Sequence, residues 1–121
     1  MRVLICGSRH FTNYDFMGTW IWKELFSKVE GFNITEIIHG GARGADTLAG
    51  LYAERHETPC KVFPADWDKY GKAAGPIRNK QMLDEGKPDL VIAFRGPNSR
   101  GTQNMIDQAT KAGIPVQIVD I

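Results

Sequence analysis

Guanidinium groups and glycine-flanked turns recur along this 121-residue chain, each directly after a short apolar run. The densest is Gly40-Gly41-Ala42-Arg43-Gly44-Ala45-Asp46, which follows Ile37-Ile38-His39 and precedes a helical pattern from Leu48-Ala49 to Tyr52-Ala53. A turn of this kind between strand and helix aims backbone amides at an anion, and the helix start and Arg43 add positive charge. Phosphate on a nucleotide suits that chemistry; a tight turn made of small residues is the plain alternative. Gly7-Ser8-Arg9 and Arg100-Gly101-Thr102 repeat the pattern. The second offers a glycine for close approach and a hydroxyl at a helix start, which also describes an ordinary N-cap. Between them come Asp66, Trp67, Tyr70, Lys72, Arg78 and Asn79. Trp67 and Tyr70 can stack on a base or pack against a helix. Asp46, just inside a helix start, reads as a dipole partner or an orienter of arginine. His39, at a strand end, reads as structural.

The elements that must position these residues alternate between strand and helix. Val3–Cys6, Glu36–His39, Lys61–Phe63, Asp89–Phe94 and Pro115–Val119 read as strands. Continuous apolar runs such as Val3-Leu4-Ile5-Cys6 are the pattern of strands buried on both faces. Helices are expected over about Asp15–Glu30, Ala45–His56, Pro76 or Ile77 to Glu85, and Thr102–Ala112, with an irregular stretch over Asp66–Gly75. The expected fold is therefore α/β: one Rossmann-like three-layer domain over residues 1–121, with a mainly parallel sheet of about five strands and Val3–Cys6 at its centre. Ligands of such sheets bind beyond the carboxyl ends of the strands. The loops there hold the cations and donors, whereas Gly31-Phe32-Asn33, Glu57-Thr58-Pro59, Gly86-Lys87-Pro88 and Gly113-Ile114 at the opposite edge are plainer.

A formal net charge of +1 supplies no global attraction to nucleic acid or membrane. The two cysteines, Cys6 and Cys60, read as small buried hydrophobes in a reducing compartment, and no metal-ligand spacing involves them. Met1-Arg2 runs straight into a strand pattern, without the outline of a signal peptide or a membrane span, so a cytoplasmic protein is expected. Trp20 and Trp22 cannot share a helical face. One of them, with Phe26, is expected to leave the core and contact another subunit of a homo-oligomer, a dimer or higher.

Taken together, Gly7-Ser8-Arg9 with Phe11, the Gly40–Asp46 turn, Ala65-Asp66-Trp67, Gly71 with Ala74-Gly75-Pro76-Ile77-Arg78-Asn79 and Met82, Ala93-Phe94, and Gly101-Thr102 leading to Met105-Ile106 resemble the YspA-like branch of the SLOG superfamily. These are Rossmann-type domains related to the LOG phosphoribohydrolases and the DNA-processing protein A family. The resemblance implies a nucleotide-derived ligand held by the first, second and fourth loops. LOG enzymes split the N-glycosidic bond of nucleoside 5′-monophosphates with an arginine ahead of a helix and a glutamate shortly after a Gly-Thr pair. Arg78 stands in a place similar to that arginine, but the glutamate position falls on Met105, which cannot activate water or stabilise an oxocarbenium ion. The run before Gly-Thr is also altered, to Gly96-Pro97-Asn98-Ser99-Arg100.

Three functions follow as expectations. The first is binding of a small phosphorylated nucleotide, sensed, carried or sequestered, without a required cofactor or metal. Its ligand residues would be Gly7, Ser8, Arg9, Gly40, Gly41, Arg43, Gly44, Asp46, Asp66, Trp67, Arg78, Asn79, Arg100, Gly101 and Thr102. Arg9, Arg43, Arg78 and Thr102 are expected on the phosphate. The second is nucleotide N-glycoside hydrolysis, with Arg78, Asp46 and Asp66 as catalytic candidates. The third, single-stranded DNA binding, is disfavoured by the balanced charge.

Overall fold

In the computed structural model, which describes residues 1–121, five strands form one all-parallel sheet. Along the chain come β1 (Arg2–Gly7), α1 (Tyr14–Ile21) with a π-helical turn (Trp22–Phe26), β2 (Glu36–His39), α2 (Ala45–Arg55) and β3 (Cys60–Val62). There follow the one-turn α3 (Trp67–Tyr70), a 3-10 turn (Gly71–Ala73), α4 (Ala74–Gly86), β4 (Leu90–Arg95), α5 (Arg100–Lys111) and β5 (Val116–Asp120). The strand order is β3-β2-β1-β4-β5, so β1 lies at the centre, in the Rossmann-like order taken as the default.

Alternation along the central strands sends side chains to two cores. Val3, Ile5, Ile37, Ile92 and Phe94 pack with Met17 and Ile21 of α1 and Ala45, Ala49 and Tyr52 of α2. Leu4, Cys6, Ile38, Val91 and Ala93 pack with Met82 and Leu83 of α4 and Met105, Ile106 and Ala109 of α5. Burial on both faces is why these strands carry apolar runs and not an alternating pattern.

Several details depart from the sequence reading. Helix α1 gives way at Trp22 to π-helical turns and stops at Phe26, short of the expected Glu30. Trp20 lies edge-on to Phe94 against the core, whereas Trp22 is 64% exposed and stacks on Phe26. Cys6 is buried, but Cys60 is exposed, contrary to its expected burial. The reason is topological: β3 is an edge strand bonded only to β2, and all three of its residues are exposed. Helix α4 begins at Ala74, so Pro76 occupies the third helical position rather than the first; its missing N–H still costs nothing within the first turn. No helix is long and apolar enough to cross a membrane.

Candidate functional site

The carboxyl ends of β1 and β4 lie side by side, with Gly7 registered to Phe94 and the Ser8 amide donating to the Phe94 carbonyl at 2.9 Å. The loops they feed therefore emerge in contact. They form one wall of a cavity of about 720 Å³, which Trp67 of α3, Lys72, and Arg78 and Asn79 of α4 complete from the other side. The size suits a nucleotide-scale ligand.

Of the residues expected on the ligand, Gly7, Ser8, Arg9, Asp46, Trp67, Arg78, Asn79, Arg100, Gly101 and Thr102 line this cavity. Gly40, Gly41, Arg43, Gly44 and Asp66 do not. Arg43 is exposed outside it. Asp66 caps α3, its Oδ1 accepting the Lys69 amide at 3.1 Å. His10, Asn98 and Ser99 are also part of the lining, as are Cys6 and Asn104. Asn104 carries no signal in sequence, because a polar residue on a helix reads as a solvated face. Only its position one turn after Arg100-Gly101 points inward.

The Gly40–Asp46 turn turns its donors inward, onto the protein itself. The Gly41 amide donates to Nδ1 of His39 at 3.0 Å, the Ala42 amide to Oδ2 of Asp46 at 3.1 Å, and the Ala45 amide to the Ser8 carbonyl at 3.1 Å. The Gly40 amide is also directed to the Asp46 carboxylate. Asp46 thus fills the place an external anion would take. Burial pushes its carboxyl above the ordinary range, while the amides of Ala42 and Gly40 and the charges of Arg78 and Arg9 pull the other way. Burial, helped by Arg78, holds the His39 imidazole below its ordinary value, consistent with a neutral ring accepting the Gly41 N–H. The glycines here serve close packing. Gly44 has φ of +75° and lies against the backbone of Ser8 and Arg9, and a side chain at Gly40 would collide with the Arg78 guanidinium.

Arg78 is held at its base. Nη1 donates to the Gly40 carbonyl at 2.6 Å and weakly to that of Phe63 at 3.4 Å, and Nε donates to Oδ1 of Asn79 at 3.1 Å. Nη2 has no partner within the protein. Burial lowers the proton affinity of the guanidinium, and the nearby Asp46 offsets part of this. Asn79 is buried and fully engaged: Nδ2 donates to the Gly101 carbonyl at 3.2 Å and to Oδ1 of Asn104 at 3.1 Å. It fastens α4 to the first turn of α5.

That first turn of α5 is open. Ser99, the N-cap, accepts the Gly96 amide on its hydroxyl at 3.1 Å and makes no cap bond to the helix. The N–H groups of Gly101 and Thr102 have no acceptor. Thr102 is only 5% exposed, yet its hydroxyl has no partner and faces the cavity. Arg9 lies over the Trp67 ring at 5.5 Å. The chain's ion pairs are Lys28–Glu24, Lys80–Asp84 and Arg95–Asp120, so Arg9, Lys72, Arg78 and Arg100 of the cavity have no carboxylate partner. Arg95, by contrast, is neutralised bidentately by Asp120. Met105 is fully buried between the sheet and its covering helices, where it meets no ligand.

The fold is a Rossmann-like α/β domain with a cationic cavity at the carboxyl ends of β1 and β4, the edge where ligands of such sheets bind. The model of the YspA, cpYpsA-related SLOG family matches residues 1–70, and this chain belongs to that family. It is 38% identical over 120 residues to the Gene 61 protein of Mycobacterium phage D29, covering 95% of this chain and 93% of that one. No solved structure matches it. Membership of the SLOG family points to nucleotide-related binding or processing.

Proposed function

We propose that the chain binds a nucleotide or nucleotide-derived phosphorylated ligand in this cavity, to sense, carry or sequester it. One observation carries the reading. Arg9, Lys72, Arg78 and Arg100, none paired with a carboxylate, meet the open start of α5 in one hollow. The sole carboxylate lining that hollow, Asp46, is held by backbone amides. Unpaired cations near one another raise the energy of the empty site, and a phosphate relieves it through charge-assisted hydrogen bonds. Phosphate meets the Thr102 hydroxyl and the amides of Gly101 and Thr102; the base has Trp67 to stack on.

The test is a panel of purine and pyrimidine nucleotides, read by thermal shift and then by calorimetry. A ligand at ~100 times its dissociation constant stabilises the fold by about 2.7 kcal/mol. An unchanged melting temperature with every member contradicts the proposal.

N-glycoside hydrolysis is the second reading, favoured by Asp46 and Arg78 facing one cavity and by the raised proton affinity of Asp46, which suits a general acid. Against it stands the engagement of Asp46 with the amides. Release of free base from nucleoside monophosphates or NAD, followed by chromatography, separates the two.

A further inference from the structure

The cavity's donors come from two sets of elements, and Arg78 is related to both, through Asn79 to Gly101 and through its charge to Arg9. On one side are Arg100, the free amides of the first α5 turn and the hydroxyl of Thr102, which makes no hydrogen bond within the protein. On the other side Arg9 is stacked over Trp67 of α3, and Lys72 follows in the next turn. Each group is cationic, and neither holds a carboxylate in an ion pair. Asn79 ties the Arg78 guanidinium to the Gly101 carbonyl, so the middle cation and the α5 group keep a fixed relation.

A nucleoside monophosphate has one phosphate to offer. Seated at α5 it leaves the Arg9–Lys72 group facing nothing of opposite charge except Asp46, which is turned to the amides of its own loop. Like charges left unpaired in a half-enclosed space are unfavourable. We infer that the ligand carries two phosphate groups, one at the α5 start with Arg100 and one at Arg9 and Lys72, with Arg78 between them. This rests on the reading of the cavity as a nucleotide site and specifies its ligand class. Linked phosphates (a nucleoside diphosphate) and separated ones (a 3′,5′-bisphosphate) share this chemistry.

The experiment titrates the full chain by calorimetry, at one ionic strength, with AMP, ADP, adenosine 3′,5′-bisphosphate and their guanine counterparts. Inorganic phosphate and pyrophosphate are titrated beside them. For the base that binds, a two-phosphate ligand is expected to bind at least tenfold tighter than the monophosphate. ADP and the bisphosphate tell which arrangement fits. Lys72→Ala, at an exposed position in a short turn, is expected to weaken the two-phosphate ligand by a larger factor than AMP and so to remove most of that preference. Equal affinities for one- and two-phosphate ligands overturn the inference and leave the nucleotide reading intact. If no nucleotide binds, that broader reading fails instead. The inorganic arm then decides the two-group arrangement: pyrophosphate tighter than phosphate supports it, and parity overturns it.

Discussion

Two glycine-bearing loops leave the same edge of the sheet, and they use their glycines for opposite ends. In the Gly40–Asp46 turn the amides of Gly41, Ala42 and Ala45 are taken by His39, Asp46 and Ser8, and the glycines let backbone and the Arg78 guanidinium approach closely. In the Gly96–Thr102 loop the amides of Gly101 and Thr102 are free, and the Thr102 hydroxyl beside them has no partner within the protein. The first loop carries the stronger sequence signal for an anion cradle, yet it already contains its own anion. A glycine-rich turn marks close approach; which partner approaches depends on whether a carboxylate four residues away can fold back onto the amides.

The contrast is sharpest at Gly44 and Gly101. Gly44→Ala places a side chain against the backbone of Ser8 and Arg9 at a positive φ, with an expected loss of about 2–4 kcal/mol in urea unfolding. Gly101→Ala meets nothing within 4 Å in a helical position, so stability is expected to hold or to rise by at most about 1 kcal/mol. Equal losses at both positions would remove the distinction between the loops.

Removing the internal anion comes next. Asp46→Ala leaves the Ala42 amide without its acceptor, at an expected cost of about 1–3 kcal/mol. The pH profile separates this loop further. With its proton affinity raised on folding, Asp46 gives stability that is full below its ordinary value of 3.8 and is lost as pH rises through the higher folded value. Asp46→Asn is expected to flatten that slope in a series of melts at stepped pH. His39 acts with the opposite sign. Its folded value lies below the ordinary 6.5, so its contribution is present above that pH and is lost as pH falls through the folded value. His39→Asn, which keeps an acceptor for the Gly41 amide, is expected to shrink the decline below pH 6.5. The Gly96–Thr102 loop contains no carboxylate or imidazole, so Ser99→Ala should leave both slopes as they are.

Much of this was legible in the residues. The five strands and the parallel sheet followed from apolar runs alternating with helical spacing, whereas the central place of β1 came from the usual Rossmann-like order, since residues do not state which strands are neighbours. Arg9, Arg78, Arg100 and Thr102 were readable as cavity residues because the carboxyl-end rule assigns loops to an edge. The exposure of Cys60 was not, since an apolar strand does not announce whether it has one neighbour or two. The break into π-helical turns at Trp22 was also hidden, because the spacing of Trp20, Ile21 and Leu25 fits an unbroken helix. Arg43 reads like Arg100 in sequence, as a cation in a glycine turn before a helix. Only the fold of Asp46 onto the Ala42 amide distinguishes them.

That pair of arginines gives the most direct test. Both are exposed, so neither substitution by alanine should move stability by more than about 0.5 kcal/mol. Calorimetric titration of the tightest nucleotide in the panel into Arg100→Ala is expected to show affinity reduced about tenfold or more, from loss of a charge-assisted contact worth roughly 1.5–3 kcal/mol. The same titration into Arg43→Ala is expected to match the unsubstituted chain within twofold. The reverse outcome, with Arg43→Ala impaired and Arg100→Ala unaffected, would put the anion at the Gly40–Asp46 turn and contradict the account.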